Sequence, residues 1–177
     1  MEEEIIFPHF RIGNVFDVSQ TEGKELDLLE PTLLTDSVED YDSFVQKLIS
    51  ISPVPVSFEE VEGGAKGYFS PSAEKIVIQK DMPQTQTLKT LIHESVHARL
   101  HSTKAMEGIK KDRMTMEIEA ESVAFCVMTA CGLDTSEYSF PYIAGWSSGR
   151  DMKELKASLE TIRVTADEII KELQKES

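Results

Sequence analysis

Cysteine is scarce in this chain: two among 177 residues, Cys126 and Cys131. Five apart in what reads as one helix, they point about 140° away from each other around its axis, a poor geometry for a mutual bridge. The disulfide-stapled class is excluded, and reduced, buried thiols are expected. Also missing is any apolar run near the ~20 residues that a bilayer span requires. The opening Met-Glu-Glu-Glu lacks the positive charge and apolar stretch of a secretion signal. No internal repeat or low-complexity tract is visible. Positive charge is in short supply, with 18 Lys and Arg against 32 Asp and Glu, a net charge of −14. Binding to a phosphate backbone depends on Lys/Arg neutralisation, so direct DNA binding is not expected. What is there, 40% hydrophobic and 28% charged residues, suffices to bury about 70% of the extended surface in one core. A soluble, cytoplasmic domain is the expectation, with no membrane association.

Residues 1–35 carry short apolar patches broken by Pro8, Gly13, Gly23 and Pro31. They read as an extended joining arm, and 36–177 as the folded domain. The helical spacing of Val38, Tyr41, Phe44, Val45, Leu48 and Ile49 predicts a helix over 36–51, capped by Asp36 or Ser37 and stopped by Pro53. Three β-like pieces, 54–61, 66–70 and 74–79, are separated by Gly63-Gly64 and Ser70-Pro71-Ser72; a small antiparallel sheet fits them. Further helices are expected from Pro83 to Leu100, from Thr115 to Cys131 with Gly132 as the stop, and from Asp151 to about Lys175. In the last of these, Met152, Leu155, Leu159, Ile162, Ala166, Ile169 and Leu173 form one apolar seam. It is expected to pack on its own domain, although it could zip a coiled-coil dimer. The fold class is α+β.

The chemistry concentrates in His93-Glu94-Ser95-Val96-His97. Spacing i, i+4 stacks His93 and His97 on one helix face, where both imidazoles can bind one metal ion. Glu94 lies about 100° round the axis, placed to reach a water near the metal without binding the metal itself. A catalytic site of this type needs a third protein ligand and an open position. His101 fails on geometry, because it would stand about 12 Å along the axis from His93 whereas metal–nitrogen bonds are about 2 Å. It is read as a rim residue, a substrate contact or a residue without a role. The pattern with a third histidine six residues past His97 is absent. Glu117 and Glu121 share a face of the next helix with Ala124 and Met128, and an acidic pair on an apolar face needs a partner. Glu117 is therefore the candidate third ligand. Glu121 is the candidate acceptor for the free N–H of a ligating histidine. Glu119 is read as pointing to solvent.

His93-Glu94-x-x-His97 followed by Glu117-x-Glu119-Ala120-Glu121-Ser122-Val123-Ala124 resembles the ImmA/IrrE-type zincin-like metallopeptidases. It is closer still to the metallopeptidase domain of ArdC- and LtrC-like antirestriction proteins of bacterial mobile elements. Val15–Thr21 resembles the segment that joins that domain to an upstream single-stranded-DNA-binding domain, and Tyr138–Gly149 its tail end. The resemblance covers nearly the whole chain. It implies Zn²⁺ as cofactor, a cytoplasmic setting, a zincin fold, and His93, His97 and Glu117 as ligands. This sequence does not include that family's basic single-stranded-DNA-binding domain, and the expectation is that it is one domain of such a longer parent, whose DNA binding would not carry over to it.

The function expected on these grounds is a zinc-dependent peptidase of gluzincin type, with Glu94 as general base and a protein or peptide as substrate. Tyr142, Tyr138, Tyr68 and His101 are the candidate oxyanion donors. The strand at 74–79 is a candidate edge for an added substrate strand, an inner strand being equally consistent. The alternative is a non-enzymatic module: an acidic antirestriction protein imitating DNA, or a binding domain with a structural or vestigial zinc.

Overall fold

The computed structural model describes residues 38–135 and 152–175. The joining arm, the caps Asp36 and Ser37, and the aromatic residues Tyr138, Phe140, Tyr142 and Trp146 lie outside the described residues. The first helix, α1 (Tyr41–Ser50), begins later than its apolar spacing predicts. Asp40 adopts a left-handed conformation (φ 53°), and its carbonyl accepts the first helical bond from Phe44 N at 3.0 Å. Val45 and Leu48 carry α1 onto the core.

Strands β1 (Val56–Glu59), β2 (Gly67–Ser70) and β3 (Lys75–Gln79) form one sheet in the order β1-β3-β2. β2 and β3 pair antiparallel, with Tyr68 opposite Val77. β1 instead pairs with β3 in parallel, Val56 opposite Ile76, so the sheet is mixed and not the expected antiparallel one. Composition explains the order. Ile76, Val77 and Ile78 are consecutive apolar residues, all buried, and such a run belongs in the middle of a sheet covered on both faces. Phe58 and Tyr68, partly exposed, sit on the flanking strands. The stretch 74–79 is therefore the inner strand, and the edge nearest the second helix is β2.

Helix α2 (Gln84–Leu100) runs through the centre, packed against the sheet on one side and α3 (Arg113–Ala130) on another. Twelve of its seventeen residues are buried, among them Lys89, Thr90 and Glu94. A helix enclosed in this way has no solvent stripe, so its polar residues must find partners inside. α3 starts at Arg113, two residues before the expected Thr115, because Asp112 is its cap: its carboxylate accepts from Thr115 N (2.9 Å) and Thr115 Oγ1 (3.0 Å). The helix closes as expected at Gly132 (φ 79°), with Leu133 N donating to the Met128 carbonyl (2.9 Å) and Gly132 N to that of Thr129 (3.0 Å).

The last helix, α4 (Met152–Gln174), packs on α3 through Ile162, Ala166, Ile169 and Leu173. Leu159 does not join this seam; it is 60% exposed, and Ser158 is the residue turned inward. Arg99 at the end of α2 clasps the periphery, donating to the Ile51 carbonyl beyond α1 (2.5 Å) and to Glu172 of α4 (2.6 Å). The two thiols are free, but the expectation of burial fails for Cys131, which is exposed past the end of α3, and Cys126 is only partly buried. Among the described residues no helix is long and apolar enough to cross a membrane.

Candidate metal centre

Lys89, His93, His97 and His101 recur every four residues and so form one row along α2. Opposite them α3 presents Glu117, Glu119 and Glu121. Lys89 meets Glu121, the two histidines that follow meet Glu117, and His101 meets Glu119.

The middle of this seam holds three convergent donor atoms. His93 Nε2 and His97 Nε2 are 3.1 Å apart, and each lies within reach of Glu117 Oε2, at 3.5 and 3.6 Å respectively. His93, His97 and Glu117 are the one group among the described residues with spacing suited to a metal ion. A point equidistant from the three atoms would stand about 2.0 Å from each, the bond length that nitrogen and carboxylate ligands make to a first-row divalent ion. Two imidazole nitrogens and one carboxylate oxygen are also the donor set such an ion prefers. The residues fit a metal.

Without a metal, the cluster favours a proton on His93. Burial works against a charge on His93, but the carboxylates of Glu117, Glu121 and Glu94 outweigh it and raise its pKa to about 9. Hydrogen bonds from His93 and His97 hold the Glu117 carboxyl well below the usual carboxylate range. A site that gathers three carboxylates around His93 favours positive charge, whether a proton or a metal ion.

Glu94 is nearly buried, and its Oε2 accepts a hydrogen bond from the backbone N–H of Phe69 on β2 (2.8 Å). The strand thus fixes the carboxylate beside the cluster. Together with His97, Glu117, Gly67, Tyr68 and Phe69 it lines an open cleft of about 400 Å³. On its other side Glu94 shares a second cavity, of about 290 Å³, with His93, Lys66, Lys89 and Glu121.

Glu121 faces inward as expected, but not toward a histidine alone. Its Oε2 accepts from Lys89 Nζ at 2.7 Å, both side chains being buried, while His93 Nδ1 stands at 3.5 Å without making a hydrogen bond. Burial lowers the pKa of Lys89, against the pull of Glu121. Lys89 went unnoticed in the sequence, although its place four residues before His93 puts it on the same row.

One expectation is overturned. Glu119, read as a surface residue, is wholly buried. It accepts from Lys111 Nζ (2.8 and 2.7 Å), from Ser158 Oγ of α4 (2.9 Å) and pairs with His101 Nε2 (3.0 Å). Burial raises its pKa, but these partners outweigh it and hold the carboxyl below its ordinary value. His101, read as a rim residue, a substrate contact or a residue without a role, lines the same open cleft as Glu94 with a side chain only 3% exposed and a pKa lowered by burial. Its Nδ1 lies 3.0 Å from His97 Nδ1. Both ring nitrogens are engaged, which removes His101 from the candidate oxyanion donors. It is not a member of the metal-ligand group, as the axial distance predicts.

Comparison with known proteins bears on this geometry. The chain is 36% identical over 107 residues to the uncharacterized protein pXO2-81 of Bacillus anthracis. The aligned segment covers 59% of this chain and 18% of that relative. No solved structure matches. Residues 52–166, which hold the sheet, both faces of the seam and most of α4, match the peptidase M78 family, described as the IrrE N-terminal-like domain. The chain belongs to that metallopeptidase-type family.

Proposed function

We propose that this chain is a zinc-dependent peptidase of gluzincin type that hydrolyses peptide bonds in a protein substrate in the cytoplasm. The observation that carries the reading is the triangle of His93 Nε2, His97 Nε2 and Glu117 Oε2, with Glu94 buried beside it. Those three residues would hold the zinc, which when bound supplies Lewis acidity to a water and to the scissile carbonyl.

The remaining chemistry belongs to the chain. Phe69 N–H immobilises one oxygen of Glu94, and the other takes the proton from the attacking water and passes it to the leaving amine. The cleft suits an extended peptide along β2, an edge strand whose outer side pairs with no other strand among the described residues and so offers a place for an added one. Tyr68, half exposed on that strand and lining the cleft, is the described candidate for stabilising the oxyanion. The segments resembling ArdC- and LtrC-like proteins support an antirestriction-like role in a bacterial mobile element.

Zinc content and hydrolysis test the assignment separately. Ala at His93, His97 or Glu117 should strip the metal, as elemental analysis would show. Glu94→Gln should keep the zinc and the fold while hydrolysis falls by about 10²- to 10⁴-fold. A lysate screened for zinc-dependent cleavage supplies the substrate. An activity unchanged in Glu94→Gln would favour the acidic decoy instead, since one charge out of −14 barely alters such a surface.

A further inference from the structure

The site contains a second layer that the motif does not announce. Behind His97 stands His101, and behind His101 stands Glu119, with Nδ1–Nδ1 and Nε2–Oε2 separations both of 3.0 Å. Glu119 is held from two further directions, by Lys111 in the loop before α3 and by Ser158 on α4. The row therefore ends in a carboxylate fixed by three separate parts of the chain.

The direction of the hydrogen bonds follows from that end. An ionised carboxylate only accepts, so His101 Nε2 must carry a proton and donate it to Glu119. A neutral His101 then has its lone pair on Nδ1, facing His97 Nδ1. The His97 proton must sit on Nδ1, which leaves the lone pair of Nε2 facing His93 and Glu117.

We propose that His101, anchored by Glu119, is a positioning residue that holds His97 in the one tautomer and ring orientation able to bind metal. The inference rests on the metal-centre reading above. It also accounts for an asymmetry between the two histidines. His93 Nδ1 has the Glu121 carboxylate at 3.5 Å, too far for a good hydrogen bond, whereas His97 Nδ1 has His101 Nδ1 at 3.0 Å. Partners of this kind set ligand orientation and basicity at metal sites, and their loss weakens binding by about 10- to 100-fold.

The test uses the full chain loaded with zinc and labelled with ¹⁵N in histidine. In the wild type, the proton on His97 Nδ1 should show scalar coupling across its hydrogen bond to His101 Nδ1. Zinc affinity, measured by chelator competition, should fall about 10- to 100-fold in His101→Phe and recover to within about threefold in His101→Gln, which restores an acceptor oxygen. Circular dichroism checks that each variant is folded. If the wild type shows no coupling, or a folded His101→Phe binds zinc as tightly as the wild type, the relay is overturned and the metal centre stands. A wild type that takes up no zinc at all overturns both. Should His101→Phe fail to fold, the wild-type coupling decides alone.

Discussion

Among single side chains, His93 sets the acid–base behaviour of the metal-free protein. Its proton is held more tightly in the folded chain, with a pKa of about 9 against an ordinary 6.5. The stabilisation this gives is complete below about 6.5, shrinks as the pH rises and is gone above about 9. The melting temperature of chelator-treated protein should therefore decline between pH 6.5 and 9. Metal must displace that proton, so zinc uptake at pH 7 should release about one proton per chain. Calorimetry in buffers of different ionisation enthalpy would register it, and a buffer-independent heat would contradict it. Glu121 carries a different prediction. It and Lys89 are both buried at 2.7 Å, so removing one charge takes from the other its close ionic partner. Glu121→Gln should cost about 3–5 kcal/mol of unfolding free energy in urea, part of which the double variant with Lys89→Met should return.

At the scale of elements, the contact between β2 and α2 governs how Glu94 is held. Gly67 lets the strand approach: a Cβ there would stand 2.9 Å from Thr90 Cγ2 and 2.9 Å from the Val77 carbonyl. Gly67→Ala should destabilise the fold by about 1–3 kcal/mol and push Phe69 N–H away from Glu94. Thr90→Ser should relieve only the Thr90 part of the clash, leaving the Val77 carbonyl and Ile78 Cδ1 at 3.1 Å, a difference that denaturation of the single and double variants would show. What the sequence reveals about these elements depends on whether the signal is local. Asp112, Gly132 and the i, i+4 histidines act within one or two turns, and spacing finds them or comes within two residues. The strand order is not local: β3 takes the centre because of competition among all three strands for burial. The same holds for Glu119. Its neighbours Glu117 and Glu121 lie on one face and it does not, so helical phase sends it outward, where α4 covers it instead. Ser158 gives no sequence signal of this partnership, whereas Lys89 does, by its place on the histidine row.

For the molecule as a whole, α4 packs on α3, and the bond from Ser158 to Glu119 joins that outer helix to the end of the seam between α2 and α3. The bond is buried, and through Glu119 and His101 it stands two hydrogen bonds from the ring of His97, a member of the metal cluster. Equilibria that share such a path are coupled in both directions by the same free energy. If metal binding draws on the His97–His101–Glu119 order, metal must in turn hold α4 down. Amide hydrogen exchange along Ser158–Leu173 should slow when zinc is added, although no residue of α4 belongs to the ligand group. Conversely, a protein that bound α4 from outside and lifted it would weaken metal binding without touching the cleft.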